Sequence, residues 1–218
     1  MSASDMIVSS LALCLLFSVV SGGLLPQRPP LVSYDAMSRI VGGQPASEGE
    51  YPSQVSIRYA GAHNCGGTII SDRFILTAAH CVKIPGVEQF TVAVGTNNWN
   101  KGVEHNITTA TPHAGFNWTD FSSPDIGLIE VDPPIEFNNV TQPAIMAEPF
   151  EETFAGSPAI IVGWGLRSGD SGGPLYVDGQ IIHGITSWSS NGCAAQGYPG
   201  VFTRVASYRD WIYAIAGV

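Results

Sequence analysis

Two short stretches and one aspartate hold residue types that could together transfer an acyl group. Gly169-Asp170-Ser171-Gly172-Gly173-Pro174 sets a serine among glycines, and Thr77-Ala78-Ala79-His80-Cys81 sets a histidine before a cysteine. Asp125 immediately precedes the apolar run Ile126-Gly127-Leu128-Ile129. A serine hydroxyl is a weak nucleophile at neutral pH, so it needs an adjacent base to take its proton as it attacks. An imidazole can do this and return the proton to a leaving amine, while a carboxylate orients the ring. The glycines have a mechanical reason: a turn that exposes a hydroxyl needs backbone angles and close approaches that a Cβ obstructs. His63, His105, His113 and His183 lack such surroundings and read as surface or structural residues. No metal-ligand spacing appears, and the chemistry calls for no cofactor.

The order His80, Asp125, Ser171 resembles that of the chymotrypsin/trypsin family of serine endopeptidases, and the likeness runs from Arg39 to the C-terminus. The resemblance makes Ser171 the nucleophile, His80 the base and Asp125 the orienting acid, in preference to Asp120 and Asp132. It assigns the backbone N–H groups of Gly169 and Ser171 to the oxyanion hole. Arg39-Ile40-Val41-Gly42-Gly43 resembles the family's activation junction, where cleavage after the basic residue frees the Ile40 amine to pair with Asp170. Burying either charge alone is costly, so such a pair acts as a switch.

The same resemblance pairs Cys65 with Cys81, closing a short loop that carries His80. It leaves Cys193 unpaired, because Arg167 and Ser168 stand where its partner is expected. An odd cysteine suggests a free thiol, an intermolecular bridge or an incomplete sequence, and a buried thiol is also common. Ser187-Trp188-Ser189 resembles the segment that pairs with an extended peptide, and Gly200, in Pro199-Gly200-Val201, the rear wall of the first pocket.

The chain departs from the family pattern at one place. Only Arg167 and Ser168 separate Leu166 from Gly169, where family members carry a few dozen residues that include the floor of the specificity pocket. Nothing acidic replaces that floor, so cleavage after Lys or Arg is not implied. Three readings follow: a secreted zymogen-type endopeptidase, a catalytically impaired homologue acting as a binding module, and an incomplete splice or gene product of a protease. The expectation is weak or no turnover by this truncated form. The implied partners are polypeptide substrates, an activating protease and protein inhibitors.

The elements that must position these residues are short strands. The 218 residues are 44% apolar and 12% charged, with 25 Gly and 15 Pro, a composition typical of a turn-rich β protein. The formal charge of −9 and nine scattered basic residues exclude a nucleic-acid-binding face. Period-two or β-rich runs fall at residues 54–59, 68–70, 74–77, 90–94, 126–131, 159–162, 175–177, 181–188 and 201–203. Apolar residues at spacings of three and four predict a C-terminal helix over 205–215. Such a pattern suits a barrel or sandwich. The resemblance narrows it to an all-β fold of two packed antiparallel barrels of the six-stranded type, the second truncated, with a C-terminal α-helix.

The apolar run at 11–20 followed by Ser21, Gly22 and Gly23 predicts a signal peptide over residues 1–22. It falls short of the roughly 20 apolar residues that a membrane span requires. Residues 23–39 then form a propeptide and 40–218 the protease domain, secreted to the extracellular space with no membrane association after signal cleavage. Three sequons, at Asn106, Asn117 and Asn139, fit secretion as glycan acceptors.

Overall fold

The computed structural model describes residues 43–83, 86, 89–165, 170–189 and 199–218, all within one unit, Ala36–Val218. The expected signal peptide and propeptide, Arg39, Ile40, Gly169 and Cys193 lie outside the described residues. Six short strands come first: β1 (Gln54–Tyr59), β2 (Ala62–Ile69), β3 (Phe74–Thr77), β4 (Phe90–Val94), β5 (Val103–Pro112) and β6 (Gly127–Asp132). They close into a barrel in the order β1-β2-β3-β6-β5-β4, which leaves no free edge. The β2–β3 turn is set by Ser71, whose hydroxyl accepts the amides of Arg73 and Phe74 at 3.3 and 3.1 Å. Val55, Ile57, Ile69, Ile75, Val92, Ile129 and Val131 are all fully buried. Each such side chain contributes about 1.5–3 kcal/mol of transfer free energy.

The half-buried alternation expected along β1 is corrected by the structure. Ser56 and Arg58 are as buried as their apolar neighbours. The Ser56 hydroxyl shares a 2.8 Å hydrogen bond with His63 Nδ1, and the two terminal nitrogens of Arg58 bind the Glu104 carboxylate and the Lys101 carbonyl. Buried polar groups persist when they find such partners.

The second half is a sheet of β7 (Ile145–Met146), β8 (Ala159–Ile161), β9 (Pro174–Val177), β10 (Ile181–Ser189) and β11 (Gly200–Arg204). Its order is β11-β10-β9-β8, with β7 joining β10 in parallel. Among the described residues this sheet does not close, and β8 is its edge. Register places Met146, Ile182, Tyr176 and Ile160 in one row. The first three are 8, 0 and 0% exposed, whereas Ile160 is 45% exposed. The inner row of this sheet is therefore bare at β8.

The sheet is latched to the barrel by Tyr176, whose hydroxyl shares a 2.7 Å hydrogen bond with Ser53 and whose ring stacks on Tyr51. Burial pushes its phenol up to about 12. The terminal helix starts later than its periodicity predicts. A tight turn at Val205–Ser207 and Tyr208 precede α2 (Arg209–Ala216), which buries Ile212. No helix among the described residues is long and apolar enough to cross a membrane.

Candidate active site

His80 sits in a single helical turn, α1 (Ala79–Val82), at the end of β3. The Asp125 carboxylate holds that turn and its imidazole together. Its Oδ1 accepts the His80 backbone N–H at 2.9 Å, and its Oδ2 lies 2.7 Å from His80 Nδ1. This geometry puts the proton on Nδ1 and leaves the Nε2 lone pair free to act as a base. The Cys65–Cys81 disulfide, expected from the resemblance, is present and ties α1 to β2. Cys65, Cys81 and His80 have potential ligand atoms close together, but the bridge occupies both sulfurs.

Asp125 lies between the two halves. The Ser187 hydroxyl from β10 donates to its Oδ2 at 2.5 Å, and the Thr203 hydroxyl from β11 to its carbonyl at 2.8 Å. Burial is the largest influence on the carboxyl and raises its pKa. Hydrogen bonding to His80 and the charge of that ring, the Ser187 hydroxyl and the His80 amide outweigh burial and hold it below the usual value.

Ser171 lies in a loop fixed to both halves. Its carbonyl accepts the Gly66 N–H of β2 at 2.8 Å, while Gly172 N–H donates to Thr186 of β10 at 2.8 Å. Gly172 has φ +80°, and a Cβ there would stand 2.2 Å from Thr77 Oγ1 and 2.7 Å from the Gly66 oxygen. The loop thus reaches its seat only with glycine at that position. It brings the Ser171 carbonyl within 3.7 Å of Cys81 Sγ, one residue from His80. Among the described residues, the Ser171 hydroxyl makes no hydrogen bond to His80.

Asp170 is half-buried, and its Oδ1 accepts the Gly165 amide at 2.7 Å. Burial raises its pKa, and that hydrogen bond only partly offsets the rise. No cationic side chain faces it among the described residues.

The other expected site residues fall on the neighbouring strands. Ser187, Trp188 and Ser189 end β10, with Trp188 opposite Val201 and Ser189 opposite Gly200. A cleft of about 230 Å³ opens beside His80 and Asp125, walled by Phe116, Trp118, Phe121 and Trp188. Trp188 packs on Phe121 with centroids 5.1 Å apart and donates its Nε1–H to the Phe121 carbonyl at 3.2 Å. The support of Asp125 by Ser187 and Thr203, and the aromatic wall, are not apparent from the sequence. They join residues 62 or more positions apart that no local motif connects. Of the remaining histidines, His105 Nδ1 lies 2.7 Å from the Pro133 carbonyl and His183 Nδ1 2.9 Å from the Thr153 hydroxyl. His113 packs on Tyr208 and Trp211, so these residues are structural.

The family model described as Trypsin matches residues 40–168 and 167–212. The chain belongs to the trypsin family. It is 32% identical to trypsin zeta of Drosophila erecta, covering 93% of this chain and 96% of that protein. It is 29% identical to a trypsin of Phaedon cochleariae, over 84% of this chain and 90% of the relative. The solved structure of human heparin binding protein shares the fold, with a TM-score of 0.73 at 24% identity, over 82% of this chain and 97% of that one. The trypsin match comes in two pieces that meet at residues 167–168, where the short spacer stands. The family acts on polypeptides, and the closed first barrel and the second sheet, open among the described residues, fit its two-barrel fold.

Proposed function

We propose that this chain is a secreted serine endopeptidase precursor in which Ser171 is the nucleophile, His80 the general base and Asp125 the orienting acid. The observation that carries this reading is the pair of bonds from one Asp125 carboxylate to the His80 amide and ring. Ser171 Oγ attacks the scissile carbonyl as its proton passes to His80 Nε2. The N–H groups of Gly169 and Ser171 receive the developing oxyanion. His80 then gives the proton to the departing amine, and water repeats the sequence to release the acyl group. These roles are the established ones of the family, transferred here to matching residues.

An activating protease would cut after Arg39 and free the Ile40 ammonium to pair with Asp170. The burial of Asp170 without a cation among the described residues supports a carboxylate awaiting a partner. Substrate backbone would run along Ser187, Trp188 and Ser189, with Gly200 behind. Protein inhibitors would compete for the same strand. Asn106, Asn117 and Asn139 are exposed, as secretory glycan acceptors must be.

Two observations favour an impaired form, either a binding module or an incomplete protease product. They are the bare β8 edge and the absence of a Ser171–His80 hydrogen bond. The experiment is to cleave the purified chain after Arg39 and expose it to a fluorophosphonate. Slow labelling confined to Ser171 and lost in Ser171→Ala is expected. Absence of label at Ser171 would overturn the catalytic reading, and an additional exon between the codons for residues 166 and 169 would identify an incomplete product.

A further inference from the structure

The cleft beside His80 has an aromatic wall on one loop, residues 116–123, and that loop contains a glycan-acceptor pattern. Asn117 and Trp118 of Asn117-Trp118-Thr119 both line the cleft, together with His80 and Asp125. The other two acceptors lie elsewhere. Asn106 is on β5 opposite Thr91 and Asp132, Asn139 is beside Gly49, and neither lines the cleft. The loop is held by its own bonds. Asn117 N–H donates to the Ser123 hydroxyl at 3.0 Å, Ser123 donates back to the Asn117 carbonyl at 3.0 Å, and the Asp120 amide donates to that carbonyl at 3.2 Å. Asn117 Oδ1 accepts both the amide and the hydroxyl of Thr119, at 3.1 and 3.0 Å. This fixes the amide plane and turns Nδ2 away from the turn, where no described residue accepts it. Trp118 and Phe121 stand 55 and 71% exposed beside it, apolar surface that no described residue covers.

We propose that Asn117 carries an N-linked glycan that roofs the mouth of the His80 cleft and limits entry from this side to small or extended ligands. In forming it, the Asn117 amide nitrogen loses a proton and bonds the anomeric carbon of an oligosaccharide. The lipid pyrophosphate that carried the sugar is displaced. The linkage forms before folding, and the folded loop then sets where the sugar lies. The bulk of a glycan is large against a cleft of this size. The consequence for catalysis rests on the endopeptidase reading, whereas the covering of the cleft does not.

The full chain is secreted from a glycosylating host as wild type, Thr119→Ser, which keeps the acceptor pattern, and Thr119→Ala, which destroys it. Mass spectrometry reads sugar at Asn117, and hydroxyl-radical footprinting reads Trp118 and Phe121, with exposed Phe150 as reference. Sugar is expected on wild type and Thr119→Ser, with at least about threefold slower oxidation of Trp118 and Phe121 than in Thr119→Ala or after enzymatic deglycosylation. Oxidation of Phe150 stays unchanged. A bare Asn117, or a glycan that leaves both aromatics equally reactive, overturns the proposal. If protection is seen while fluorophosphonate labels no form, the endopeptidase reading fails and the roof stands. If label is taken up, removing the glycan speeds capture by a protein inhibitor and leaves the small probe's rate unchanged. Equal capture rates would refute the gating.

Discussion

Two carboxylates of the candidate site, Asp125 and Asp170, are shifted in opposite directions, and each makes a prediction. Asp125 is held below its ordinary value because donors from His80 and Ser187 outweigh burial. A carboxyl depressed below its unfolded pKa of about 3.9 contributes stability that is complete above that value and lost as pH falls through the folded pKa. Ser187→Ala removes one lowering donor and brings the folded pKa nearer the unfolded one, so the stability Asp125 contributes at neutral pH should shrink and its acid loss should be complete at a higher pH. Melting temperatures recorded from pH 2 to 6 would show it, and superimposable profiles would deny Ser187 its role. Asp170 is the reverse case, raised chiefly by burial. Its stability is fully present below the unfolded pKa and declines as pH rises through the folded one. Asp170→Asn keeps an oxygen for the Gly165 amide and removes the charge. The uncleaved variant should therefore melt higher than wild type at pH 7 and equally at pH 3. After cleavage at Arg39 the same substitution should become destabilising at pH 7, because the Ile40 ammonium would lose its counter-charge.

Among the elements, β8 is the strand whose inner side is left bare. All three of its residues are exposed although Ile160 shares a row with fully buried Tyr176 and Ile182. An unpaired edge with exposed isoleucines is a template for association. Ile161→Lys should lower concentration-dependent light scattering with little change in Tm, since Ile161 is 40% exposed. Ile182→Ala should cost about 2–5 kcal/mol in denaturant melts, and Ile160→Ala less than half of that. Equal losses would mean that the row is covered after all. The strands that alternate or run β-branched, such as β1, β3, β4 and β10, were legible from their pattern. Strand β5 was not, because it is mostly exposed and bulged between Ile107 and Thr109, so it has no apolar period. Two-residue β7 is too short to carry any. His80, Asp125 and Ser171 were legible because each stands in a local motif. The Ser187 hydroxyl and the aromatic cleft depend on how distant segments fold together, which spacing along the chain does not encode.

For the whole molecule, the two halves differ in what protects them, and the proposed catalytic residues are divided between them. His80 and Asp125 are anchored in or beside the closed barrel, whereas Ser171 precedes β9 of the open sheet. Local stability follows buried apolar contact and paired edges. The barrel's fully buried Val55, Ile57, Ile69, Ile75 and Ile129 should exchange their amides only through global unfolding. Amides of β7, β8 and the loop from Asp170 to Gly173 should exchange through a smaller opening with a weaker dependence on denaturant. Three backbone bonds resist that opening near the serine, Gly66 N–H to Ser171, Gly172 N–H to Thr186 and Thr186 N–H to Gly173. Only the first reaches the barrel. Native-state hydrogen exchange in increasing urea should therefore separate the sheet from the barrel before the main transition. The Ser171 loop would be released while the His80–Asp125 bonds persist, and reactivity toward fluorophosphonate would vanish below the urea concentration that unfolds the barrel. A single exchange isotherm shared by β1–β6 and β8–β10 would show instead that the open sheet draws full stability from its seam with the barrel. The expected weak turnover would then have to come from the short spacer after Leu166 rather than from a loosely held nucleophile.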